Sequence, residues 1–167
     1  MNSWNFKGML AAAIVLPALS GAAWAGASDD LGCSNATLKG AYAFSVLTIA
    51  AAAPLEPGVV VVLGRFDGKG GFTQIDYPGD GLSMTPPLTA FRTGQTGTYT
   101  VNPDCTGFQT ISLGAGVGVT TKAFVISNGG RSIHGVVAGF TLGGTAVSAQ
   151  ARFDGWKVAS DQDTEDR

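Results

Sequence analysis

The chain has 167 residues, of which 45% are apolar and only 13% charged, against about a quarter charged in an average domain. With 10 basic against 12 acidic side chains and a net charge of -2, it lacks the cationic excess of a protein that binds nucleic acid by phosphate neutralisation, and its apolar content argues against intrinsic disorder. One histidine, two cysteines and two glutamates leave little material for acid–base or metal chemistry.

Residues 1–25 have the three parts of a secretory signal. Lys7 sits in a short polar start, an apolar run from Met9 to Leu19 follows with Pro17 inside it, and Ala23-Trp24-Ala25 offers small side chains for cleavage after Ala25. That run is shorter than the roughly 20 residues of a membrane-spanning helix. Removing Lys7 leaves 9 cations against 12 anions, a net of -3, so an anionic surface is not expected as a partner, and neither nucleic acid nor stable membrane insertion is expected. The protein is expected to be exported, to the periplasm or the extracellular space. In such an oxidising compartment Cys33 and Cys105 read as one disulfide closing a loop of about 70 residues. Zinc would need three or four ligands, and the sole histidine, His134, has no ligand-like spacing to either cysteine.

Residues 26–32 read as an extended lead-in, and a domain spanning 33–158 follows. Tyr42, Phe44 and Val46 alternate with Ala41, Ala43 and Ser45, as a half-buried strand requires. Ala50 to Pro57 reads as a loop, Val59 to Phe66 as a strand rich in β-branched residues, and Asp67-Gly68-Lys69-Gly70-Gly71 as a tight reversal into a strand from Phe72 to Tyr77. A proline-containing loop from Pro78 to Pro87 leads to a short strand at Leu88 to Arg92 and a clear one at Gly97 to Val101, which Asn102-Pro103-Asp104 turns. Gly107 to Leu113, Val117 to Ser127, Ser132 to Leu142 and Ala146 to Val158 complete the set, with Asn128-Gly129-Gly130 as a primed turn. Residues 159–167 form an acidic tail expected to be disordered. No window shows a capped helical period. About eight short strands joined by Gly and Pro turns predict an all-β fold: an eight-stranded antiparallel up-and-down barrel, with a β-sandwich as the alternative.

Cys33 followed by Leu38-Lys39-Gly40-Ala41-Tyr42-Ala43-Phe44, together with Gly97-Thr98-Tyr99-Thr100-Val101-Asn102-Pro103-Asp104-Cys105-Thr106-Gly107 and the glycine-rich hairpin Phe66 to Phe72, resembles a group of small exported bacterial proteins of mostly unknown function. The resemblance implies an allene-oxide-cyclase-like or calycin-type barrel. Gly40-Ala41-Tyr42 stands where lipocalins and avidins carry Gly-x-Trp, and Arg152 is a counterpart of their late arginine. It implies a fold more than a function.

Catalytic constellations are weak. A nucleophilic triad would depend on His134, and no Gly-x-Ser-x-Gly elbow presents a serine. Asp67, Asp76, Asp80, Asp104 and Asp154 lie in or beside turns, where aspartate caps its own backbone. No spacing matches a calcium loop, and the alternating Gly114, Gly116 and Gly118 lack the residues of a phosphate cradle. Asn35-Ala36-Thr37 is a glycosylation acceptor by pattern only. No cofactor and no metal are expected. The near-repeat Arg65-Phe66-Asp67-Gly68 and Arg152-Phe153-Asp154-Gly155 reads as two equivalent strand ends turning through Asp-Gly, or as two arginines pointing into one barrel end.

More informative are Arg65, Gln74, Asp76, Lys122, His134, Gln150 and Arg152, polar residues set in strand pattern among apolar ones. Facing solvent, they are ordinary; facing inward, they would orient a ligand in an apolar pocket. The expected site therefore combines Tyr42, Phe44, Arg65, Lys122, Phe124, His134 and Arg152 around a small apolar ligand, without catalysis. A structural or adhesive surface protein is the alternative, and a cyclase or isomerase acting on a lipid-like substrate is a further one. Nothing in the pattern fixes an oligomeric state.

Overall fold

The computed structural model describes residues 31–51, 57–81, 86–114 and 118–158. The signal, most of the lead-in and the acidic tail lie outside the described residues.

Among the described residues the chain forms nine strands: β1 Lys39–Ala51, β2 Gly58–Asp67, β3 Gly71–Pro78, β4 Arg92–Val101, β5 Thr106–Ser112, β6 Gly118–Ser127, β7 Ser132–Leu142, β8 Thr145–Ala146 and β9 Ala149–Lys157, with side chains of the longer strands alternating inward and outward. Each of β1 to β7 pairs antiparallel with its successor, and β9 closes the ring by pairing with both β7 and β1. The result is a closed eight-stranded up-and-down barrel with β8 as an added two-residue strand. Closure leaves no long edge exposed.

Two strand boundaries differ from the pattern-based expectation. Leu88 to Phe91 is not a strand: β4 begins at Arg92 and runs unbroken into Gly97–Val101. The expected strand from Ala146 to Val158 is divided, because β8 folds back on Thr141 and Leu142 of β7 before β9 starts at Ala149. The near-repeat also separates. Asp67 ends β2 in a turn, whereas Asp154 lies within β9, and both Arg65 and Arg152 are exposed on the outer wall. The phenylalanine after each arginine faces inward, so period two sends the arginines out.

One end of the barrel is closed by short turns. The Asp67 carboxylate accepts the N–H groups of Lys69, Gly70 and Gly71 at 2.7 to 3.0 Å. These bonds, the one from Lys69 foremost, hold its carboxyl below the ordinary range. Gly68 and Gly70 supply the positive φ that this turn demands. Over the same end lies a 3-10 turn, Asn35–Thr37, tethered by the Cys33–Cys105 disulfide across 72 positions of sequence. Asn35 fixes the turn, accepting the Val101 N–H at 2.8 Å and donating to the Lys69 carbonyl, while the Tyr99 hydroxyl shares its proton between the Asn35 and Leu38 carbonyls. Leu38 is fully buried beneath it.

Inside this end, aromatic rings fill the barrel. Phe66 is the hub, with ring centroids of Tyr42, Phe72 and Tyr99 at 5.1 to 5.3 Å. Such rings need room across the sheet, and inward glycines provide it. Phe44, Phe72, Phe124 and Phe153 stand directly opposite Gly155, Gly97, Gly107 and Gly135 on the neighbouring strands. A Cβ at any of these glycines would run into the ring that covers it. Small-on-large pairing lets an eight-stranded barrel hold this much aromatic volume.

Two measurements test these features. Reduction of the disulfide, or Cys33→Ser with Cys105→Ser, should lower unfolding free energy by about 4 kcal/mol in the chain-entropy account, read by urea denaturation with and without reductant. Unchanged stability would contradict the tether. Gly155→Ala should cost about 1–3 kcal/mol by overpacking, and Phe44→Leu should recover part of that loss in the double variant. Additive losses in the four-protein cycle would mean that the ring does not rest on Gly155.

Candidate functional site

At the opposite end the barrel stays open. The β7–β9 pairing spans only Ser132–Val136 against Arg152–Trp156, after which β7 turns its bonds to β8 and the two strands part. The mouth leads to a cavity of about 740 Å³. Its apolar walls are small or branched: Val46 of β1, Val60 and Val62 of β2, Ile111 of β5, and Ala149 and Ala151 of β9. Thr48, Thr120, Val137 and Phe140 extend them toward the rim.

Polar groups converge on one side. The Asp76 carboxylate, 4% exposed, receives Arg92 through Nε and Nη2, both at 2.7 Å, and the Gln95 side-chain amide at 2.8 Å. Gln74 donates in turn to the Gln95 amide oxygen at 2.6 Å. A bidentate guanidinium and an amide satisfy the buried carboxylate, as burial of an anion requires. Both carboxylate oxygens are engaged, so the arrangement fixes the Asp76 side chain in place.

A bulge makes this clamp. Between Gln74 and Asp76 the β3–β4 register shifts, and Gly94 adopts φ +77°. The extra residue lets Arg92 and Gln95, three apart, both point inward, where a regular strand would place them on opposite faces. The β6–β7 register slips in the same way between Thr121 and Lys122, and Val137 and Phe140 both reach the cavity.

Lys122 stands at the floor. It is 7% exposed, its ammonium lies 4.8 Å from the centre of the Phe153 ring, and among the described residues it has no hydrogen-bond or ion-pair partner. Burial pushes its amine down to about 8, with the Asp76 charge opposing the shift. Gln109, also buried, faces it across the β5–β6 pair.

The seven residues expected at the site divide. Lys122 lines the cavity. Tyr42, Phe44 and Phe124 face inward but belong to the packed aromatic end. Arg65, His134 and Arg152 lie on the outer wall, where His134 Nδ1 meets Asp154 at 2.8 Å, with Arg152 3.7 Å from that carboxylate. No serine joins that pair, and no cluster of three metal-ligating side chains occurs among the described residues. Of the other polar candidates, Gln74 and Asp76 face inward and Gln150 outward. Arg92 and Gln95 escaped the reading from sequence; Gly94 in mid-strand was the available sign of a bulge. Comparison with protein-family models and with curated proteins found no match.

The isolated cation predicts a pH dependence. A lysine whose amine titrates lower in the folded protein than in the unfolded chain, near 10.5, destabilises the fold while both forms are charged. Between about pH 8 and 10 the unfolded state holds more protons, so stability should rise with pH in that window. Tyr42 and Tyr99, raised by burial above the ordinary 10, reverse the trend only at higher pH. Lys122→Met should abolish the rise and add up to roughly 3 kcal/mol at neutral pH. A flat wild-type profile from denaturation across that window would refute this assignment.

Proposed function

We propose that this protein is an exported β-barrel that holds a small, largely apolar molecule in its mouth without transforming it. The observation that carries the reading is the cavity itself. At about 740 Å³ it falls within the range of small-molecule sites, and it is apolar over most of its wall with a few convergent polar groups. The aromatic plug makes it a blind cup and not a channel. Export is supported by the signal pattern of residues 1–25 and by the Cys33–Cys105 disulfide, which suits an oxidising compartment. Kinship with the exported calycin-type barrels forms part of the same proposal, supported by the up-and-down eight-stranded architecture.

The rival reading, a structural or adhesive surface protein, has one observation in its favour. Ile49, Val59 and Val61 on one side of the outer wall, and Phe108, Val125 and Val136 on the other, are exposed apolar side chains. Apolar patches of this kind mark contact surfaces.

A neutral environment-sensitive dye such as phenylnaphthylamine separates the two. The ligand reading expects saturable uptake at micromolar concentration with one dye per barrel. It also expects binding to fall at least tenfold in Ala151→Phe, which projects a ring into the cavity, while the thermal transition is kept. No saturable uptake by the wild type, with mass rising as concentration rises, would replace the cup with the adhesive reading.

A further inference from the structure

The cavity is not electrically neutral. Three charged groups face it from the strands: Asp76 of β3, Arg92 of β4 and Lys122 of β6. Asp76 and Arg92 cancel in a bidentate pair, and Gln95 takes up a further share of the carboxylate. Asp80 lies at the rim, exposed, where water screens it. One positive charge is left over. It sits on the floor, against the Phe153 ring, 7% exposed, with no acceptor among the described residues for its three N–H donors.

From this geometry we infer that the ligand is an amphiphile with an acidic head, a carboxylate on an apolar body, which enters head first and places its oxygens on Lys122. The inference deepens the cavity-binding reading and rests on it. Each element of the site has a counterpart in such a molecule. The carboxylate supplies the charge and the acceptors that Lys122 lacks. The tail meets Val46, Val60, Ile111 and Ala151 above the floor. A cationic ligand would meet Lys122 and Arg92. A neutral one would bury its surface and leave the ammonium unpaired, which is the costlier arrangement. Burial of the amine, which lowers its proton affinity in the empty cup, is the cost that an incoming anion removes.

The test uses a matched pair of probes, decanoate and decanol, displacing a neutral dye from the full-length exported protein. At pH 7 decanoate should bind at least tenfold more tightly than decanol. In Lys122→Met the preference for decanoate over decanol should vanish. Raising the pH from 7 to 10 should weaken decanoate and leave decanol unchanged, since the Lys122 amine, lowered to about 8 by burial, loses its charge in that range while Asp76, Arg92 and the rim residue Asp80 face the same cavity. This wild-type measurement stands even if the variant fails to fold. Equal binding of the two probes to the wild type, or a decanoate preference surviving Lys122→Met, would overturn the anionic head while leaving the cup intact. Dye uptake without either probe displacing it would likewise overturn the amphiphile alone. Absence of any binding would overturn the cavity reading itself.

Discussion

The volume inside an eight-stranded barrel is the constraint on which everything else in this protein depends. Such an interior is just wide enough for side chains to fill it. Whether space remains is decided by where the bulk is placed along the strands. Here Tyr42, Phe44, Phe66, Phe72, Tyr99, Phe124 and Phe153 are gathered into one end, four of the rings resting on the glycine directly opposite. That packing supplies the core. It also leaves the other half to valine, alanine and threonine, which cannot close the gap. The same arrangement that stabilises the barrel therefore creates its cavity.

The closed end has a second duty, which is to hold the plug in place. Leu38 and the Asn35–Thr37 turn cover the rings, and the disulfide with the Asn35 and Tyr99 hydrogen bonds ties that cover to the β4–β5 hairpin. With the plug fixed, bulges can be tolerated toward the mouth. All three register shifts lie there: in β1 against β9, β3 against β4 and β6 against β7. Two of them aim Arg92, Val137 and Phe140 at the cavity and turn Gln95 inward onto Asp76. Irregular pairing is thus concentrated where the cavity wall is shaped, and regular pairing where the core is built.

Much of the fold was legible in the sequence because its signals are local. Alternation around Tyr42 and Phe44, the β-branched run of β2 and the Asp67–Gly71 turn are decided within a few residues. The disulfide followed from an even pair of cysteines and the secretory-signal pattern of residues 1–25. The site was harder. That Tyr42, Phe44 and Phe124 face inward could be read from period two; that they sit at the closed end depends on the stagger between strands, which no single strand reveals. Period two sends Arg65 and Arg152 outward because their neighbours Phe66 and Phe153 face inward, so for these two arginines the local pattern alone points away from the interior. Lys122 shares its face with Phe124, and that alternation places it inside. Arg92 and Gln95 could not be paired by alternation, because the bulge at Gly94 breaks the count between them.

Two features of the mouth half work against stability, and the closed half has neither. One is the unfilled cavity, whose walls forgo the contacts that larger side chains would make. The other is the Lys122 ammonium, set against the Phe153 ring with no acceptor among the described residues. Either could be removed by a single substitution of ordinary kind, a larger residue at Ala151 or an apolar one at Lys122. A chain that fits four rings onto four glycines at one end is not short of means to pack the other. Local rules broken without a compensating structural gain are what the proposed ligand accounts for. The missing apolar volume and the missing negative charge lie in the same cavity, and one molecule can supply both.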